Sequence, residues 1–302
     1  MQKTDKKMLK VSSTKILIQL NVSGEKNTAC GVEALQANLV SNNTAFGRRA
    51  LKANTTGTTQ VAVGQGALET VTTSSGNTAV GCNALNLNTG SQNTAVGDSA
   101  LLNNTSASYL TAVGYQALYN NTTGVRNLAI GYQALSTNTT GGSNTACGYE
   151  ALELNTGDGN SAFGNDALRS NTSGEKNTGL GNEALENSTT ASFNTAVGHH
   201  SLTTNTTGAE NTAVGAEALE LCTTGSNHTA LGKGALQNVT TGSTNTGLGR
   251  LAGNDITTGV NNTCVGAESG RSNSPSGAIS TGSNNVVLGN NSISNLYCAD
   301  TS

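Results

Sequence analysis

The stretch that decides the fold is Thr111 to Gly131, TAVGYQALYNNTTGVRNLAIG, in which one unit closes as the next opens. Its two tetrads, TAVG ending at Gly114 and LAIG ending at Gly131, stand 17 residues apart. Glycines with the same setting recur at Gly31, Gly47, Gly64, Gly81, Gly97, Gly148, Gly164, Gly181, Gly198, Gly215, Gly232, Gly249 and Gly266. The interval is 17 except at three places where it is 16, and Gly289 follows more loosely after 23 residues. A period this strict means one supersecondary element per unit, stacked on its neighbours, because a single unit cannot bury its own apolar face.

The consensus N-T-A-V-G-x-x-A-L-x-x-N-T-T-G-S-x can be read column by column. The residue before the glycine is apolar: Val63, Val80, Val96, Val113, Ile130, Phe163, Val197 and Val214 stand there. That position is read as one core column. Four residues after the glycine come Leu68, Leu85, Leu118, Leu135, Leu152 and Leu219, read as a second core column, with Ala before nearly every one. The remainder is Asn, Thr, Ser and Gly, residues that favour turns.

A TAVG segment fits one short strand per coil, and is too short for a capped helix. The G-x-x-A-L piece leaves open a tight corner, a second short strand or a single helical turn. Side chains alternate along a strand. If Val113 points into its coil, Ala112 and Gly114 face outward, where small residues let another backbone approach closely; the plainer alternative is that they are small surface residues. The expected fold is all-β, an elongated β-solenoid or β-helix of about fifteen coils, on the order of 65 Å long at ~4.8 Å per coil. Burying a Val or a Leu gives roughly 1.5 to 3 kcal/mol, against roughly 1 to 2 kcal/mol for each backbone residue fixed. With aromatics at 3% and no Trp, the core is thin, and association with further chains supplies the missing burial.

Three regions follow. Residues 1–26 lie outside the repeat and carry five Lys before position 16; they are read as a lead-in strand and attachment segment. The apolar run Ile16–Leu20 is shorter than a signal-peptide core or a membrane span. Residues 27–270 are the solenoid shaft, with no compositional break. Residues 271–302 begin with a loop around Pro275 and continue, over 283–296, into an expected last strand pair. The net charge is −3; residues 1–15 contribute +4, leaving −7 for the rest. Such a weakly acidic body is not built to grip phosphates, so no nucleic-acid partner is expected.

No chemistry is expected. The six cysteines show no CxxC pairing and are read as small buried hydrophobes with free thiols, in keeping with assembly in a reducing cytoplasm. His199, His200 and His228 are read as surface residues, the first two on opposite sides of a strand. Glu33, Glu150, Glu183 and Glu217 are read as solvated turn residues. N-x-[ST] triplets at Asn54, Asn121, Asn138, Asn205 and Asn238 follow from the NTT turn. Catalytic, metal and cofactor sites are therefore all read as none, and the chain as no enzyme.

The repeat NTAVGYQALYNNTTG resembles the repetitive shaft of tail-fibre and other surface-fibre proteins of phages and large viruses, over about 240 residues. The C-terminal stretch NNVVLGNNSISNLYCADTS is similar to the segment just upstream of an endosialidase-type intramolecular chaperone. That chaperone trimerises such fibres and removes itself by autocleavage. The resemblance implies a homotrimer at the virion surface, assembled in the host cytoplasm. It further implies a processed end at or near Ser302, other fibre components mounted on the N-terminal segment, and a host-surface receptor, a glycan among the candidates. The shorter repeats of trimeric adhesin heads resemble it too, and a bacterial adhesin head is the first alternative. An ice-binding solenoid is a further one, weighed against by the single Thr per strand. A depolymerising tailspike would need loops that the unbroken period excludes.

Overall fold

The computed structural model of the chain describes residues 24–272, 274 and 277–295. The attachment reading for residues 1–26 falls mostly outside them, as do Pro275 and the end at Ser302. Two compact units divide the chain, Met1–Gly159 and Asn160–Ser302. Each is an all-β parallel solenoid of the same coil, and no helix occurs among the described residues.

The first unit carries β1 (Thr28–Cys30), β2 (Thr44–Phe46), β3 (Val61–Val63), β4 (Thr78–Val80), β5 (Thr94–Val96), β6 (Thr111–Val113), β7 (Leu128–Ile130) and β8 (Thr145–Cys147). The second carries β9 (Ser161–Phe163), β10 (Thr178–Leu180), β11 (Thr195–Val197), β12 (Thr212–Val214), β13 (Thr229–Leu231), β14 (Thr246–Leu248), β15 (Thr263–Val265) and β16 (Val286–Leu288). Within a unit each strand pairs in parallel with the next in sequence, column on column: Thr94 faces Thr111, Ala95 faces Ala112, and Val96 faces Val113. The register survives the 23-residue interval, since Val265 of β15 still faces Leu288 of β16. The extra residues thus leave the ladder without shifting it. Over 283–296 the described residues hold one strand, β16, where a pair is expected from the sequence.

The alternation along the strands runs opposite to the sequence expectation. The middle residue is the inward one: Ala45, Ala62, Ala79, Ala95, Ala112 and Ala129 are all fully buried. The residue before the glycine faces outward. Val63, Val80, Val96, Ile130 and Phe163 are 36–42% exposed, and Val113, Val197 and Val214 are half-buried. The reading of that column as core, and of Ala as the outward packing face, is therefore corrected. Space decides it. Leu68, Leu85, Leu118, Leu135, Leu152 and Leu219 fill the interior at 0% exposure, leaving the strand opposite them room for one methyl. A Cβ placed on Gly179, the middle residue of β10, would already sit 3.4 Å from Leu168 Cδ1.

The G-x-x-A-L segment is a corner, neither a strand nor a helical turn. Two of its residues take left-handed dihedrals: in one coil, Gln116 (φ 52°) and Leu118 (φ 52°). A left-handed non-glycine residue costs roughly 1 to 2 kcal/mol, which burial of the leucine offsets. The corner is also held between coils, because the Leu118 amide donates to the Ala134 carbonyl of the next coil at 3.0 Å.

Candidate functional site

Three sets of side chains, repeated coil after coil, are the features from which function must be built. The first is interior. The Asn that precedes most strands is buried: Asn43, Asn77, Asn144, Asn160, Asn177, Asn211 and Asn245 are 0% exposed. Each such side chain closes two main-chain bonds. Asn177 Oδ1 accepts from the Asn194 amide at 2.9 Å, and Asn177 Nδ2 donates to the Ala191 carbonyl at 2.7 Å. A second buried column lies in the NTT turn, where Asn54 Nδ2 donates to the Gly57 carbonyl at 2.9 Å and to Asn38 Oδ1 at 2.6 Å. The amide that a glycosyl group would need is thus inside the coil at Asn54, Asn121, Asn138 and Asn205, all 0% exposed.

These ladders were legible only as turn chemistry, although the near-constancy of the Asn position from coil to coil was the signal. They are also where the interior is most sensitive to change. Asn177→Ala is expected to lower stability by about 2 to 4 kcal/mol, because the Asn194 amide and the Ala191 carbonyl both lose their partner. A urea midpoint unchanged from the parent protein would contradict that account.

His228 occupies the same column, which corrects its reading as a surface residue: it is 1% exposed. Its ring copies the asparagine pattern. Nδ1 accepts from the Asn245 amide at 3.1 Å, which leaves Nε2 to carry the proton and donate to the Gly242 carbonyl at 2.7 Å. Burial pushes the imidazole below its ordinary value, while the Gly242 carbonyl pulls the other way.

The second set lines the corner and is charged or aromatic. Tyr115, Tyr132 and Tyr149 stack on three consecutive coils, with centroids 5.4 and 5.0 Å apart and the rings close to parallel. Glu33 meets Lys52 at 2.7 Å and Arg49 at 3.2 Å. The Lys52 ammonium holds its carboxyl below the usual range. Glu183 meets His200 Nε2 at 2.7 Å, and Glu217 lies 3.8 Å from Lys233. His199 and His200 lie on this corner with their rings stacked at 3.8 Å, not on opposite sides of a strand. Exposed pairs of this kind contribute little, because solvent screens them. Partial burial raises Glu186, helped by the neighbouring Glu183 and Asp166 carboxylates.

Among the described residues no group of three or more His, Cys, Asp or Glu side chains could hold a metal ion. Cys222 and Cys264 are buried, and burial pushes their thiols up to about 12 and about 11. Cys30, Cys82 and Cys147 are half-buried.

The third set is the outward face of the strands, a Thr-x-Val pattern. Every strand places its first and third residues there, as Thr78 and Val80 of β4, Thr94 and Val96 of β5, or Thr111 and Val113 of β6. In each unit sixteen such positions occur and none is charged, in a chain that is 11% charged. The face is therefore apolar and hydroxylic along the whole run of strands in a unit. No protein-family model matches the chain, and no curated protein matches it significantly. No helix among the described residues is long and apolar enough to cross a membrane.

Proposed function

We propose that this chain is a structural segment of a surface fibre or spike, working as a homotrimer that attaches to a host surface without performing chemistry. The observation that carries the reading is the coil-to-coil recurrence of uncharged, apolar or hydroxylic residues in the outward columns of the strands. Any partner that recognises one coil meets side chains of similar chemistry one strand spacing away, about 4.8 Å further on. Such a surface suits multivalent attachment, in which many weak contacts raise avidity by a factor of roughly 10² to 10⁴. Resemblance of the repeat to viral and phage fibre shafts supports the same reading, with a virion surface as the site of action.

The test is the mass of the native particle. Three chains of 30.3 kDa each, stable to dilution, are the expected result. A lone chain that stays folded at micromolar concentration would remove the fibre reading.

A second reading is favoured by one specific observation, the outward array of Thr and Val rows. A regular hydroxyl and methyl lattice is what an ice-binding face requires. Against it stands the variation within the rows: Phe46, Ile130, Cys147 and Phe163 share the Val row, and Val61 and Leu128 interrupt the Thr row. A measurable thermal hysteresis would favour this second reading.

A further inference from the structure

We infer that the uncharged Thr-x-Val face, and not the corner or the turn, joins one copy of this chain to the next. The inference rests on the fibre reading and adds which surface is shared. Four observations carry it.

The face is continuous within each unit and uncharged at all sixteen positions. The other outward columns are not: the corner holds Glu33, Arg49, Lys52, Asp98 and Glu183, and the turn holds Arg126, Lys176 and Glu210. Apolar residues on it are exposed in the single chain, with Phe46 at 44%, Phe163 at 42%, Leu180 at 46% and Leu231 at 51%. Exposed apolar patches of more than a few hundred Å² mark contact surfaces.

Its size can be set against that of known interfaces. At ~4.8 Å between strands and ~3.3 Å per residue, eight three-residue strands present roughly 400 Å² in each unit. Taken unit by unit, that is about half of the roughly 800 Å² that each partner of a standard interface buries.

The occupant is specified by spacing. Side chains on this face recur at the strand separation, and a surface that meshes with it over eight rows must repeat at the same interval. A second copy of the chain does so by construction. Uneven side-chain sizes in the Val row, from Cys147 to Phe163, suit interdigitated packing against such a copy and break the flatness that an ice lattice would need.

The thiols of the first unit report on this face directly. Cys30 of β1 and Cys147 of β8 stand in the outward Val row, while Cys82 stands on the corner just after β4; all three are half-buried in the single chain. Maleimide labelling of the native particle, read by peptide mass, compares them with a variant carrying Val80→Lys and Val96→Lys. Both replacements fall on adjacent, paired, exposed positions of the face, so the coil interior is untouched. Arg126→Glu, on the exposed turn, is the control.

The expected result is a native multimer in which Cys30 and Cys147 label about tenfold or more slowly than in the double-lysine variant, since access controls thiol reaction. That variant should run as a single chain, with Cys82 labelling alike in both and Arg126→Glu remaining a multimer. A multimer whose Cys30 and Cys147 label as fast as in the variant, or that survives the two lysines, would overturn this choice of face and leave the fibre reading standing. A native single chain would overturn both, and thermal hysteresis in that single chain would assign the face to ice.

Discussion

Gly131→Ala is expected to cost roughly 3 to 5 kcal/mol, at the high end of what one methyl group can do. Gly131 has φ 140°, and a Cβ there would lie 2.1 Å from the carbonyl oxygen of Gly148 and 2.7 Å from its carbon. Both atoms are main chain in the next coil, so no side chain can swing aside. The same approach recurs one coil earlier, where a Cβ on Gly114 would lie 2.2 Å from the Gly131 oxygen. A larger residue would therefore have to push two coils apart and lose the 2.9 Å bond from the Gly148 amide to the Ile130 carbonyl.

Gly76 provides the comparison. Its φ is 71°, the ordinary left-handed region, and a Cβ there meets only Gln92, at 3.5 Å. Gly76→Ala should cost about 1 kcal/mol, the conformational term alone. Because each coil contacts only its neighbours, loss of stability at Gly131 should be concentrated near it. Hydrogen exchange that is accelerated around β6 to β8 is the expected pattern. Equal urea midpoints for the two alanine variants would contradict the steric account.

The second large effect concerns His228 and acid. Its ring is bound as the neutral tautomer: Nε2–H donates to the Gly242 carbonyl, and Nδ1 accepts from the Asn245 amide. Protonation at Nδ1 would set an N–H against an N–H. The folded-state value is depressed below the ordinary 6.5, chiefly by burial. The unfolded chain therefore binds the extra proton first. This contribution is intact above about pH 6.5, shrinks as the pH falls below that, and levels off only beneath the depressed folded value. The slope can reach about 1.4 kcal/mol per pH unit. Cys222, which flanks the same glycine, Gly225, has its thiol pushed up to about 12 and stays protonated throughout.

His228→Asn restores the side chain used in the neighbouring coils, so it should leave stability at pH 7.5 within about 1 kcal/mol of the parent and flatten the acid slope. His228→Leu should cost about 2 to 5 kcal/mol at every pH, since it strands both the Asn245 amide and the Gly242 carbonyl. Val239, in the turn column of that coil, has no donor to take over. Urea midpoints measured between pH 5 and 7.5 decide it: an acid slope in His228→Asn equal to the parent's would place the titration elsewhere.

The repeat itself was fully legible, because periodic glycines in an Asn- and Thr-rich chain leave a stacked coil as the economical fold. The sense of the alternation was not. A three-residue strand with an apolar residue at its end and an alanine in its middle offers two orientations, and hydrophobicity favours the wrong one. The deciding signal is size variation. The middle column is Ala in nearly every coil, with Gly179, Gly247, Cys264 and Val287 as exceptions, whereas the next column ranges from Cys147 through Val96 and Ile130 to Phe163. A closed interior already holding a leucine accepts one size, and an open face accepts many. The same reasoning picks out the interior asparagines, and through them His228, which composition alone places on the surface.

The three shorter coils differ from the rest at one place. The buried Asn88 stands two positions before Gly90, and Asn155 two before Gly157, where Asn54 stands three before Gly57 and Asn121 three before Gly124; the bond from the asparagine amide to that glycine carbonyl forms in both cases. A codon gained or lost in the NTT turn is thus absorbed at the surface, with every rung still aligned. Drift in the gene can wear at that one bend while the phase of the whole stack is inherited unchanged, and foreign peptides spliced there would be displayed at regular heights.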